Sequence, residues 1–137
     1  MEANTKSRRH YPEAVYDTRS LGFPQAVSGR GGRLVVTAGL VGWDKQFNLE
    51  NDFGSQLHQA MENLAEVMAD AGVADGDILH VRIYVVGLTQ DHRIIVGQEL
   101  DRQYPDRDLR PGTSLIGISA LARDDLLVEV EGTAICG

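Results

Sequence analysis

The chain has 137 residues, 42% of them hydrophobic and 24% charged, which fits one globular domain around a single core. Its formal net charge of −7 denies it the clustered cationic surface that polyanion binding needs, so no nucleic acid partner is expected. No apolar run approaches the roughly 20 residues that span a bilayer, and no membrane association is expected.

Residues 1–20 read as a partly flexible leader of mixed charge ahead of a single domain over 21–137. Met1–His10 lacks the apolar stretch of a secretory signal, and its one cationic group is Lys6, Arg8 and Arg9. Cys136 is the lone cysteine, so no intramolecular disulfide can form. That fits a reducing compartment, and a cytoplasmic location is the expectation.

Phe23–Ser28 reads as the hairpin partner of the β-branched run Arg33–Ala38, across the turn Gly29-Arg30-Gly31-Gly32. Gly39–Asp44 then leaves the sheet as a loop or short extension. Asp52 offers an N-cap, and Leu57, Met61, Leu64, Val67, Met68 and Ala71 recur at helical spacing behind it. Gln56, Gln59, Glu62, Asn63, Glu66 and Asp70 form the polar side of that helix, and Gly72 ends it. Ile78–Val86 is a long strand, with Leu79, Val81, Ile83 and Val85 on one face and His80, Arg82 and Tyr84 on the other.

Thr89 caps a second helix to about Tyr104, with Ile94, Ile95, Gln98 and Leu100 placed inward. Pro105 and Pro111 bracket a polar loop in which Arg110 reads as solvated or as a partner of Asp106 or Asp108. Arg110–Ile118 and Leu127–Ala134, joined by the turn Ala122–Asp125, read as paired strands. In the second, Leu127, Glu129 and Glu131 share one face while Val128, Val130 and Gly132 share the other. A carboxylate inside an apolar strand costs desolvation unless something uses it. The order strand, strand, helix, strand, helix, strand, strand gives an α+β fold, two helices on one face of a mixed sheet.

Other chemistries find little support. His10, His58, His80 and His92 lack metal-ligand spacing, Gly29–Gly32 opens a strand instead of a helix, and no metal or cofactor is expected. Ser114 has no nucleophile-elbow sequence around it.

The segments Gly22-Phe23-Pro24-Gln25-Ala26-Val27, Val36-Thr37-Ala38-Gly39, Ala71-Gly72, Pro111-Gly112-Thr113-Ser114 and Glu129-Val130-Glu131 occur in the order and spacing of the RidA/YjgF family. The chain resembles that family from about Leu21 to Ile135. The resemblance implies a chorismate-mutase-like subunit, a homotrimer, and clefts between subunits that bind small metabolites. Such assembly would bury an apolar sheet face expected to carry Val36, Val86, Ile116, Val128 and Val130.

Family deaminases hydrolyse enamines and imines such as 2-aminoacrylate, and the glutamate that positions water aligns with Glu129. Glu131 shares its face, and the sequence leaves open which of the two points into a cleft. The resemblance places Phe23, Ala38, Gly39, Thr113 and Ser114 at the substrate, and Trp43 is a candidate aromatic wall. Thr113 replaces the arginine that grips a substrate carboxylate. Ala38 stands for a serine, Leu40 for a glutamine and Phe23 for a tyrosine, and Gly97 lies near the usual place of an asparagine. The expectation is therefore a hydrolase of activated C–N bonds whose substrate is less anionic than 2-imino acids. A non-catalytic binding trimer is the alternative.

Overall fold

Helix α1, Phe53–Asp70, begins where Asp52 leaves extended backbone and its carboxylate accepts the Ser55 N–H at 2.9 Å. This computed structural model describes residues 7–137, so Lys6 and the residues before it in the expected leader lie outside the described residues. The helix buries Leu57, Met61, Leu64 and Met68 of the stripe expected from spacing, and Phe53 and Ala60 in addition. Val67 falls off that stripe and is 39% exposed. Gly72 follows with φ +78°, the left-handed conformation that glycine adopts without a steric penalty.

Gln56 departs from its expected place on the polar face and is buried. Its amide donates to the carbonyls of Glu50 and Asp125 and accepts the Leu127 N–H, tying the start of α1 to the loop before the last strand. A buried amide is tolerable when its polar atoms are met in this way.

Helix α2, Gln90–Gln103, is capped by Thr89, whose hydroxyl accepts the His92 N–H. Its buried residues are Val96 and Glu99, whereas Ile94 is 53% exposed and Gln98 is also exposed. Ile95 and Leu100 pack against the core as expected, so the inward face is corrected only at Ile94 and Gln98. α2 meets α1 through polar contacts, Glu99 accepting from His58 Nδ1 at 2.5 Å and Gln103 donating to Glu62 at 3.0 Å, while Arg102 of α2 itself donates to Glu99. The apolar count alone could not set its phase.

The strands are β1 Ser7–His10, β2 Ala26–Gly29, β3 Arg33–Val36, β4 Leu40–Val41, β5 Ile78–Val86, β6 Gly112–Ile118 and β7 Val128–Cys136. The main sheet has the order β3-β7-β5-β6, with β4 also pairing β7. β5 and β6 run parallel across the α2 crossover, and β5 and β7 run antiparallel. Two expected pairings are thus corrected. β6 does not pair β7, because β5 lies between them and satisfies both edges. β2 does not pair β3, because β1 supplies its partner from within the expected leader, matching Ser7 to Gly29 and His10 to Ala26. Arg9 anchors β1 by donating to the carbonyls of Leu109 and Arg110.

The core lies between the helices and the inward residues Val81, Ile83, Val85, Val128, Val130 and Ala134, all fully buried. Val128 and Val130 therefore belong to the helix side, not to the opposite face where they were expected. A register irregularity between Ile78 and His80 turns Ile78 inward and carries Leu79 out of line with Val81. Gly132 lets α1 settle on β7, since a Cβ there would meet Met68 Cε at 2.7 Å.

Candidate functional site

The sheet face away from the helices carries Arg82 and Tyr84 of β5 beside Glu131 and Glu129 of β7. These two carboxylates differ in commitment. Glu131 accepts the Tyr84 hydroxyl at 2.6 Å and pairs with Arg82 at 3.5 Å. The hydrogen bond to Glu131 raises the pKa of the Tyr84 phenol above its ordinary value. Glu129 has no hydrogen bond or ion pair among the described residues, and its carboxylate lies against Gly39. A Cβ on Gly39 would stand 2.5 Å from the Glu129 carboxyl carbon. Glycine leaves room for the carboxylate in this position, so the Ala38-Gly39 link between β3 and β4 packs directly on Glu129.

Trp43 stands two residues past Val41, the strand partner of Glu129. It is half-buried, with its ring edge-on to Phe47 at 5.7 Å, and its carbonyl accepts from Asn63 of α1. Phe47 adopts φ +64° and is 75% exposed, which the sequence reading did not anticipate. Asp44 fixes that turn by accepting the N–H groups of Gln46 and Asn48.

Phe23, Thr113 and Ser114 converge elsewhere. They line a cavity of about 310 Å³ together with Pro24, Val27, Leu79 and His80. It forms where the segment leading into β2 crosses the β5–β6 edge, with Gly112 in its lining beside His80. The seven residues singled out from sequence thus form two groups with Trp43 apart: Ala38, Gly39 and Glu129 near β4 and β7, and Phe23, Thr113 and Ser114 at the β6 edge.

His80 is the residue that sequence reasoning left out of this group. Its Nε2 lies 3.0 Å from Ser114 Oγ, while Nδ1 is buried with no partner among the described residues. Burial lowers the His80 pKa, Arg82 lowers it further, and Glu131 opposes them. A neutral imidazole follows. The pair is not a hydrolytic triad, because no acceptor holds Nδ1–H to make Nε2 the base. The alternation His80, Arg82, Tyr84 was legible, but the Leu79 irregularity that aims His80 at Ser114 was not.

Arg110 is corrected most plainly. It is 5% exposed, donates to the carbonyls of Tyr104 and Gly22, and pairs with Asp101 at 2.9 Å. It staples the loop after α2 to the Gly22 turn and is not free to bind a ligand carboxylate. Cys136 is buried within β7.

A larger hollow of about 720 Å³ opens where the Asp44–Asp52 loop meets α1 and α2. Its buried carboxylate, Glu99, is spent on His58 and Arg102. Among the described residues no group of acidic, histidine or cysteine side chains could hold a metal, and no helix is long and apolar enough to cross a membrane.

No curated protein matches the chain. Solved structures do. YyfB of Yersinia pestis, described as a Rid-family protein of unknown function, is 32% identical, with 95% of this chain and 98% of that one covered at TM-score 0.87. Rv2704 of Mycobacterium tuberculosis, from the YjgF/YER057c/UK114 family, is 27% identical, with 94% and 98% covered at TM-score 0.64. TdcF of E. coli, solved with bound serine, shares the fold at 19% identity and TM-score 0.66, with 93% of each chain covered. The family model described as Endoribonuclease L-PSP matches residues 19–136, and with it the chain belongs to the YjgF/RidA family.

Proposed function

We propose that this protein is a homotrimeric hydrolase of activated C–N bonds in small metabolites, with Glu129 as its general base. The observation that carries the reading is the contrast on β7. Glu131 is consumed by Tyr84 and Arg82, while Glu129, two residues away, is held against Gly39 with no partner among the described residues. A carboxylate so placed can take a proton from water as the water attacks an imine carbon. The nitrogen gains a proton, and the resulting carbinolamine collapses to a carbonyl and ammonia.

Assembly is supported by the same face. Leu34 and Val36 are 64% and 67% exposed on the β3 edge, and Ile116 is exposed on β6. Packing that face against a second copy would remove apolar surface from water and could bring one subunit's Gly39–Glu129 unit to another's Phe23–Thr113 cavity. The family model's description names an endoribonuclease, but a net charge of −7 weighs against a polyanionic substrate. A cytoplasmic location belongs to the same reading.

The test is ammonia release from 2-aminoacrylate and 2-iminobutyrate generated in situ, and from neutral enamines. Glu129→Gln should lower turnover by about 10²-fold or more on any substrate that reacts. Unchanged turnover in that variant would defeat the mechanism. A non-catalytic binding trimer is favoured instead if ligands bind the native protein and none reacts. The absence of Lys or Arg from the described lining of the Phe23 cavity is what keeps that second reading in play.

A further inference from the structure

The cavity between the Phe23–Val27 segment and the β5–β6 edge has a definite chemical character. Phe23, Pro24, Val27 and Leu79 provide apolar wall, and the polar side chains are Ser114 and His80, with Gln25 and Thr113 also in the lining but donating to the Tyr16 and Pro111 carbonyls. No formally charged side chain is among its described lining residues. The cations nearest in sequence are engaged elsewhere, Arg82 with Glu131 and Arg110 with backbone carbonyls and Asp101.

The imidazole does not substitute for a cation. Protonating His80 would leave a second N–H buried beside Arg82 with no acceptor, since Nδ1 has no partner among the described residues. A carboxylate entering this cavity would shed its hydration and meet no opposing charge, which is strongly unfavourable. A neutral group that both donates and accepts meets hydroxyls able to do the same. The volume of about 310 Å³ is at the small end of ligand pockets, so it suits one such group on a short carbon chain.

We propose that this cavity receives a neutral hydrogen-bonding end of the ligand, a carboxamide or hydroxyl and not a carboxylate, and that the His80–Ser114 pair is its specificity determinant. The proposal rests on the reading that ligands bind this face of the sheet, and it adds the chemical class that they present there. His80 and Ser114 act by holding the ligand's end group, and no bond is made or broken at them.

The test compares 2-oxobutanoate with 2-oxobutanamide, which have similar shape and differ in charge, by calorimetric titration of the native protein. The amide should bind at least about tenfold tighter, because only the acid must give up ionic hydration. Ser114→Ala should weaken amide binding by about three- to tenfold, with unchanged subunit mass and melting temperature, while His80→Gln, which keeps a donor and an acceptor, should retain most of it. Thr113→Arg should reverse the preference toward the acid.

Equal or tighter binding of 2-oxobutanoate by the native protein would overturn the proposal, as would failure of 2-oxobutanamide to bind. The hydrolytic reading fails separately, through unchanged turnover in Glu129→Gln. The two failures are therefore distinguishable.

Discussion

The two faces of the sheet are made by alternate residues of the same strands, yet they are finished differently. Along β7, Val128, Val130 and Ala134 are fully buried under the helices, while Glu129, Glu131, Thr133 and Ile135 between them remain partly open. The inner face is a closed packing problem, with every side chain touching another of the same chain. The outer face pairs Glu131 with Tyr84 and Arg82 but leaves Glu129, Leu34 and Val36 without such closure. One set of residues holds the fold together, and the other set faces outward for assembly and ligand.

Truncation should sharpen that contrast most on the inner side. Leu64→Ala, at a residue 1% exposed, should cost about 3 kcal/mol in urea unfolding. Arg110→Ala should cost about 2 kcal/mol by the same measurement, since it strips donors from the buried carbonyls of Gly22 and Tyr104. Gly39→Ala should cost no more than about 1 kcal/mol, because the Glu129 carboxylate can swing aside. Its turnover should nevertheless fall by about 10²-fold with the displaced base. If Gly39→Ala lost stability and kept activity, the division between the faces would be broken.

The smallest expected effect is a pH dependence. The His80 pKa is lowered in the folded protein, so the unfolded chain binds the proton more readily. Stability from neutral His80 is full above the unfolded value of about 6.5 and declines as pH falls from there toward the folded value. Melting compared between about pH 7.5 and about pH 5.5, on either side of the unfolded value, should show a smaller drop in His80→Gln than in the native protein. An identical drop would remove His80 from the account.

Helix α1 was legible because the Asp52 cap, an apolar stripe and Gly72 all pointed the same way. Helix α2 was legible in extent and partly in phase, since Ile95 and Leu100 pack inward as read, but its buried carboxylate Glu99, bonded to His58 and Arg102, carries no apolar signal. Strand partners were the weakest part. Periodicity assigns faces within a strand but says nothing of which strand lies beside it, so β5 between β6 and β7 had no local signal. At the site, Gly39 with Glu129 and Phe23 with Thr113 could be singled out in advance from family resemblance. His80 and the stapling by Arg110 depend on long-range geometry that no spacing in the chain encodes.

The measurement that bears most directly on the outer face as an assembly and ligand surface is the solution mass, by light scattering, of the native protein and of Val36→Asp. The native particle should have three times the 15.0 kDa of the chain, and the variant should give a folded, smaller particle. A native protein that runs as a single 15.0 kDa subunit would contradict it.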